Sequence, residues 1–63
     1  MEAYQERVVE EAQELEKKLV KLVAFCRTKR FEALSSAEQC RMIRQRLLMT
    51  RYGEVLGERI EAF

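Results

Sequence analysis

The sequence predicts an all-α protein: a two-helix antiparallel hairpin that assembles into a helical homo-oligomer. The 63 residues include no proline and only two glycines, so long stretches lack helix-breaking residues. Apolar residues recur at alternating spacings of three and four on both sides of a short polar connector, which is typical of amphipathic helices. Further apolar residues lie outside these periodic positions, and their number predicts burial against other copies of the chain. The range 1–63 is expected to form one domain.

The first helix is predicted over about residues 3–27, where no residue interrupts the periodic pattern. Glutamates are concentrated in its first turns and Lys and Arg in its last turns, an order that suits the helix dipole. One set of residues at alternating spacings, which we name the first ladder, contains polar interruptions. Its members are Tyr4, Val8, Glu11, Leu15, Lys18, Leu22 and Phe25.

Residues 28–35 form the predicted connector, in which Phe31 and Leu34 are expected to tuck back under the bend. Ser35 followed by Glu38 has the spacing of a capping box, with Ser35 at the N-cap and Glu38 reaching back to it. The second helix is therefore predicted over about residues 36–61. It carries the second ladder, again interrupted by polar residues. The members of the second ladder are Met42, Gln45, Met49, Tyr52, Leu56, Arg59 and Phe63.

Apolar residues also lie outside the two ladders. A single helix–helix contact needs only one stripe on each partner, so the remainder requires burial against other copies or another protein. We therefore expect a homo-oligomer. The surplus residues are Val9, Ala12, Leu19, Val20, Val23, Cys26, Cys40, Ile43, Leu47, Leu48, Val55 and Ile60.

The net charge of +1 conceals a strong segregation. Residues 1–16 carry a net charge of −5, residues 17–51 of +8 and residues 52–63 of −2. A hairpin would therefore have an acidic end at its termini and a basic end at its bend, which would attract anions. Scattered Lys and Arg are more often a solvated face, and the lack of interleaved aromatic residues disfavours nucleic acid. The basic patch comprises Arg27, Lys29, Arg30, Arg41 and Arg44.

The polar interruptions of the ladders form the second candidate site. If the chain bends near residue 31 or 32, residues whose numbers sum to about 63 lie level, and polar members of one ladder meet polar members of the other. The predicted pairs are Lys18 with Gln45, Glu11 with Tyr52, and Tyr4 with Arg59. Such residues can be polar layers that fix the register, or long stems that reach solvent.

The functional interpretation of the same residues is a pocket between subunits. Tyrosine rings would stack on a ligand, cationic side chains would pair with phosphate and an amide would bind a polar edge. That combination in an apolar wall is what a nucleotide-type ligand requires. The candidate ligand-binding residues are Tyr4, Arg7, Glu11, Lys18, Gln45, Met49, Tyr52 and Arg59.

Two glycines and two cysteines also bear on the packing of the predicted helices. Gly53 and Gly57 lie four apart inside the second helix and predict close approach of another helix or a ligand. Cys26 and Cys40 occupy apolar positions and are expected to be buried free thiols. Two cysteines without histidine do not form a zinc site, so no metal and no cofactor are expected.

Enzymatic chemistry is not expected. The sequence has no histidine, no Gly-rich phosphate loop and no nucleophile with a base at recognisable spacing. It also has no run of about 18 apolar residues, and its first residues are acidic, unlike those of a signal peptide. The expectation is a cytoplasmic binding protein without a membrane segment.

The pattern of spaced single residues over nearly the whole chain resembles short phage helical-hairpin proteins related to a small crAss-like phage protein. More distantly, its size and hairpin shape resemble the phage sponges that sequester the cyclic nucleotides of CBASS and Thoeris immunity. The residues that carry the first resemblance are Tyr4, Gln5, Glu6, Arg7, Val8, Leu15, Lys18, Leu22, Phe25, Phe31, Leu34, Glu38, Gln39, Gln45, Met49, Tyr52, Leu56, Arg59 and Ile60.

These resemblances imply a phage anti-defence protein in the cytoplasm of an infected bacterial host. Such a protein would hold a cyclic oligonucleotide or a cyclic ADP-ribose type of signal in intersubunit pockets without cleaving it. The alternative is a protein-interaction module, or an inhibitor that covers a host protein with its surplus apolar helix face.

Overall fold

The computed structural model describes all 63 residues and contains helices α1 (Ala3–Phe25), α2 (Lys29–Glu32) and α3 (Ser36–Glu61). The two long helices, α1 and α3, pack antiparallel in a rod of 46 × 14 × 13 Å. No strand is present. The predicted all-α hairpin is confirmed.

The connector is a compact turn built around Thr28. Its Oγ1 donates a hydrogen bond to the Phe25 carbonyl at 2.7 Å and accepts one from the Phe31 N–H at 3.2 Å. One side chain therefore ends α1 and begins α2, which explains why α1 ends before the predicted Arg27. Gln39 of α3 holds the end of the connector against α3, because its Nε2 donates hydrogen bonds to the carbonyls of Glu32 at 3.2 Å and Leu34 at 2.9 Å.

Phe31 is the hydrophobic anchor of this turn. It is buried, and its ring meets the Phe25 ring edge-on with centroids 6.3 Å apart, a favoured aromatic geometry. Leu34 is half-buried. Phe31 therefore tucks under the bend as the sequence predicts.

Ser35 caps α3, and half of the predicted capping box is formed. The Ser35 Oγ accepts a hydrogen bond from the Glu38 N–H at 3.2 Å. The Glu38 carboxylate does not reach back to Ser35, because it accepts a hydrogen bond from Arg41 Nε at 2.8 Å instead. The second half of the box is therefore replaced by an ion pair one turn along.

Removal of the cap gives the first testable prediction. Ser35→Ala is expected to lower the free energy of unfolding by about 1 kcal/mol, because one N–H of the first turn of α3 loses its acceptor. The matched control is Ser36→Ala, whose hydroxyl forms no hydrogen bond. Urea unfolding followed by circular dichroism measures both. Equal losses in the two variants would contradict the assigned cap.

The contact between the long helices uses three of the seven members of each ladder. The residues that face the opposite helix are buried or half-buried and again alternate at spacings of three and four. The polar members of the ladders are exposed on the flank of this contact. The facing residues are Val8, Ala12, Leu15, Leu19, Leu22, Cys26, Met42, Arg46, Met49, Gly53, Leu56 and Ile60.

Cys26 and Cys40 are free thiols, but Cys40 is exposed, so the prediction that both are buried is wrong.

The predicted register is displaced by four to five residues. Leu15 lies opposite Gly53, where a Cβ atom would be 3.7 Å from Leu15 Cδ2, and the Tyr4 ring contacts the Phe63 ring with centroids 5.9 Å apart. The pairings of Lys18 with Gln45, Glu11 with Tyr52, and Tyr4 with Arg59 are therefore wrong. The cause is that the first turns of α3 extend beyond the end of α1 and pack beside α2.

The hairpin buries little of itself. Only Val8, Phe31 and Leu56 are buried. The accessible surface is 5146 Å², against about 4,250 Å² for a compact monomer of this mass. Much of the apolar surface that a single chain would ordinarily bury is therefore exposed to solvent.

Candidate functional site

One long side of the hairpin, which we name the ladder face, carries the polar members of both ladders. Residues seven apart lie on the same flank of a helix, and the contact between Tyr4 and Phe63 shows that this flank of α1 adjoins the matching flank of α3. The polar interruptions therefore converge on one face, although they do not pair at the heights predicted. The ladder face comprises Tyr4, Glu11, Lys18, Gln45, Tyr52 and Arg59.

A shallow groove of about 470 Å³ lies on the part of the ladder face nearer the bend. It combines three predicted ligand-binding residues with two residues of the predicted basic patch, because all of them lie on adjacent turns of α3. The groove is lined by Gln45, Met49, Tyr52, Arg41, Arg44 and Leu48.

The uncharged groups of this groove are available to a ligand. Tyr52 is 44% exposed, so its side chain is accessible to a ligand. The Gln45 Nε2 lies 3.8 Å from the Met49 Sδ. Because a thioether is a weak acceptor, a polar ligand atom could readily take the place of the sulfur.

The two arginines of the groove differ in their contacts. Arg41 uses its Nε to bind Glu38, which orients the side chain. Arg44 lies in no ion pair. The groove therefore contains one oriented guanidinium and one free guanidinium, the donors that bind phosphate and carboxylate groups best.

The remaining predicted ligand-binding residues lie elsewhere on the hairpin. Tyr4 and Arg7 are exposed near the termini. Tyr52 lies level with about residue 16, so roughly 18 Å of helix axis separates it from Tyr4 at 1.5 Å per residue. One chain therefore does not bring the two tyrosines together.

Glu11, Lys18 and Arg59 are exposed at intermediate and terminal heights of the ladder face. None of the three takes part in an ion pair. Lys18 lies level with about residue 50, at the height of the groove, whereas Glu11 and Arg59 lie between the groove and Tyr4.

The basic patch is divided by the fold. Arg41 and Arg44 belong to the groove. Arg27, Lys29 and Arg30 are exposed at the bend and line no part of that groove. The predicted basic patch is therefore two separate groups in the structure. One is a pair of arginines in the groove on α3, and the other is a set of solvated cationic side chains at the bend.

Leu48 is the groove residue that neither the ladders nor the basic patch included. It lies three residues after Gln45 and four before Tyr52, so the helical period contained the signal. From the sequence, Leu48 was grouped with the surplus apolar residues. Its place in the groove depends on which side of α3 packs against α1, and only the structure shows that.

Two further properties of the chain bear on the site. Neither long helix has a segment with the length and apolarity needed to cross a bilayer. No three cysteine or carboxylate side chains come together in a geometry that would hold a metal ion.

Comparison with known proteins gives one match. No curated protein and no solved structure matches the chain. The family model described as Sequestin matches residues 2–62, which is nearly the whole length. Sequestins are phage anti-defence proteins that sequester nucleotides rather than convert them. The chain, an all-α hairpin with an aromatic and basic groove on one face, belongs to the sequestin family.

Proposed function

We propose that this protein is a phage anti-defence protein that captures a nucleotide-derived immune signal, either a cyclic oligonucleotide or a cyclic ADP-ribose type of molecule. It holds the signal between copies of the chain and does not cleave it. The observation that carries this proposal is the groove on α3, which combines a tyrosine ring, an amide and two guanidinium groups.

Each group of the groove has a counterpart in such a ligand. A base stacks on the exposed ring of Tyr52, and the Gln45 amide donates to a polar base edge. Arg44 and Arg41 pair with a phosphate through charge-assisted hydrogen bonds. Sequestration requires only these binding interactions, so the mechanism needs neither a nucleophile nor a general base.

The open shape of the groove supports capture between copies. Small-molecule sites with high affinity bury about 70–90% of the ligand surface, and one helix flank covers only one side of a nucleotide. A second ladder face laid over the groove would enclose the ligand. The residues that the second ladder face would add are Tyr4, Glu11, Lys18 and Arg59, together with Arg7, which lies one turn from Tyr4.

Calorimetry tests the proposal directly. The assembled protein is titrated with a panel of cyclic dinucleotides, cyclic trinucleotides and cyclic ADP-ribose isomers, and the recovered ligand is checked by chromatography. We expect binding of at least one class at submicromolar concentration, with the ligand returned intact after denaturation of the protein. No binding across the panel, or a hydrolysed ligand, would overturn the proposal.

A single arginine distinguishes the groove from general basic charge. Arg44→Gln is expected to weaken binding by about 10- to 100-fold, because one charge-assisted hydrogen bond contributes about 1.5–3 kcal/mol and 1.4 kcal/mol corresponds to a tenfold change. The matched control is Arg51→Gln, which removes the same charge two turns further along α3 and outside the groove. Equal weakening by both variants would show attraction by net charge alone.

A further inference from the structure

The side of the hairpin opposite the ladder face, which we name the apolar face, carries half of the twelve surplus apolar residues. Val20, Ile43 and Leu47 are all more than half exposed there. Shallow grooves run between them and the core of the hairpin. The apolar face comprises Val9, Ala12, Val20, Val23, Ile43, Leu47 and Gly57.

The two glycines of α3 have different surroundings on this side. A Cβ atom on Gly53 would contact Leu15, whereas one on Gly57 would have no atom within 4 Å. Gly57 lies beside Ala12 and Gly53 in the groove between the long helices. The apolar face therefore has an open notch at Gly57 in its terminal half, and protruding side chains at Ile43 and Leu47 in its bend half.

Charge on the apolar face is divided between the same two halves. Arg27 and Arg46 lie in the bend half. Glu54 lies on the terminal side of the middle, and Glu16 lies near mid-height, where it lines the grooves of both halves. This division follows that of the whole chain, in which residues 17–51 carry +8 and the two terminal segments carry −5 and −2.

We propose that a second copy of the chain covers the apolar face in antiparallel orientation, so that two hairpins form a four-helix bundle. The bend half of each copy then lies on the terminal half of the other. Arg46 comes level with Glu54 of the partner subunit, and the side chains of Ile43 and Leu47 approach the partner's Gly57 notch. A parallel pair would instead bring basic bend against basic bend and acidic end against acidic end.

The available area is sufficient for such a dimer. The rod measures 46 × 14 Å across this side, so one flat face covers about 640 Å² and two copies about 1,300 Å². Specific interfaces bury about 1,200–2,000 Å² in total. An isologous twofold contact also buries the apolar faces of both copies in one interface, so that neither face stays exposed to solvent.

This interface is independent of ligand capture, because it uses no residue of the ladder face. Each bundle would present its two ladder faces outward on opposite sides. Ligand-mediated contact between ladder faces would then join bundles to one another. A bundle that binds no nucleotide would therefore overturn the proposed function and leave this inference standing.

Sedimentation of two matched variants tests the face. Leu47→Glu inserts a charge into the interface beside Glu54 of the partner subunit, and we expect a monomer at tens of micromolar. Val55→Glu is the control, because Val55 is 52% exposed against 55% for Leu47 but lies outside the grooves of the apolar face. It should remain associated like the parent. Parent chains that are monomeric at that concentration, or dimers in both variants, would overturn the inference.

Spin-label distances test the orientation without altering the interface. In a background of Cys26→Ala and Cys40→Ser, single labels are placed at the exposed positions Arg30→Cys at the bend and Glu61→Cys near the terminus. In an antiparallel pair, chains labelled at the bend give bend-to-bend distances approaching the 46 Å length of the rod. A mixture of the two singly labelled variants adds bend-to-terminus distances of less than half that. Short bend-to-bend distances would overturn the antiparallel arrangement.

Discussion

Leu56→Ala is expected to remove most of the free energy of unfolding of the protein. Leu56 is the most deeply buried side chain, with 1% of its surface exposed. Truncation of a buried leucine to alanine costs about 2–5 kcal/mol, because transfer free energy is lost and a cavity remains. A single hydrophobic core in a chain of this size supplies only about 3–5 kcal/mol. The substitution therefore removes most of the stability.

Circular dichroism at 222 nm with urea titration measures this effect. All samples are compared at one protein concentration, since association stabilises the folded chain by mass action. The control is Leu48→Ala, which removes the same atoms from a side chain that is 63% exposed and should change the free energy of unfolding by no more than about 0.5 kcal/mol. Similar losses in the two variants would contradict the assignment of Leu56 to the core.

Local features of the fold could be predicted from the sequence because their causes are local. The two helices follow from the absence of breakers and the alternation of spacings, and Ser35 follows from its position before α3. The position of Phe31 follows from an apolar residue in a polar connector. Each of these signals lies within a few residues of the structure that it predicts.

The register could not be predicted, because it depends on how the connector folds. Thr28 and Gln39 bind backbone groups of the turn, and α3 consequently begins beyond the end of α1. Neither residue affects the apolar periodicity. The displacement of four to five residues is more than one helical turn, so every predicted cross-helix pair changed while the helices themselves did not.

The candidate site likewise has a part that could be predicted from local spacing and a part that depends on the register. Arg41, Arg44, Gln45 and Tyr52 lie on one helix, so helical spacing alone places them on adjacent turns. Their distance from Tyr4 depends on the register and the height difference between two helices. Sequence reasoning therefore named five of the six residues of the groove, all but Leu48, but not their separation from Tyr4.

Tyr52→Ala is expected to have the largest effect on ligand binding. Stacking of one base on an aromatic side chain contributes about 1–3 kcal/mol, which corresponds to a loss of roughly 5- to 150-fold at 1.4 kcal/mol per tenfold change. Tyr52→Phe keeps the ring and should bind within a few-fold of the parent. Calorimetry with the ligand class identified for the parent protein measures both variants. Unchanged affinity in Tyr52→Ala would remove the groove from the binding site.

Tyr4→Ala then measures how the groove is closed. Tyr4 lies about 18 Å along the helix axis from Tyr52 at 1.5 Å per residue, so within one chain it does not share a base with that ring. A loss of affinity similar to that of Tyr52→Ala would mean that Tyr4 of the partner subunit reaches the groove, as capture between ladder faces requires. Unchanged affinity in Tyr4→Ala, with a loss in Tyr52→Ala, would exclude Tyr4 from the pocket and limit the ligand contacts to the groove and whatever other residues the partner supplies.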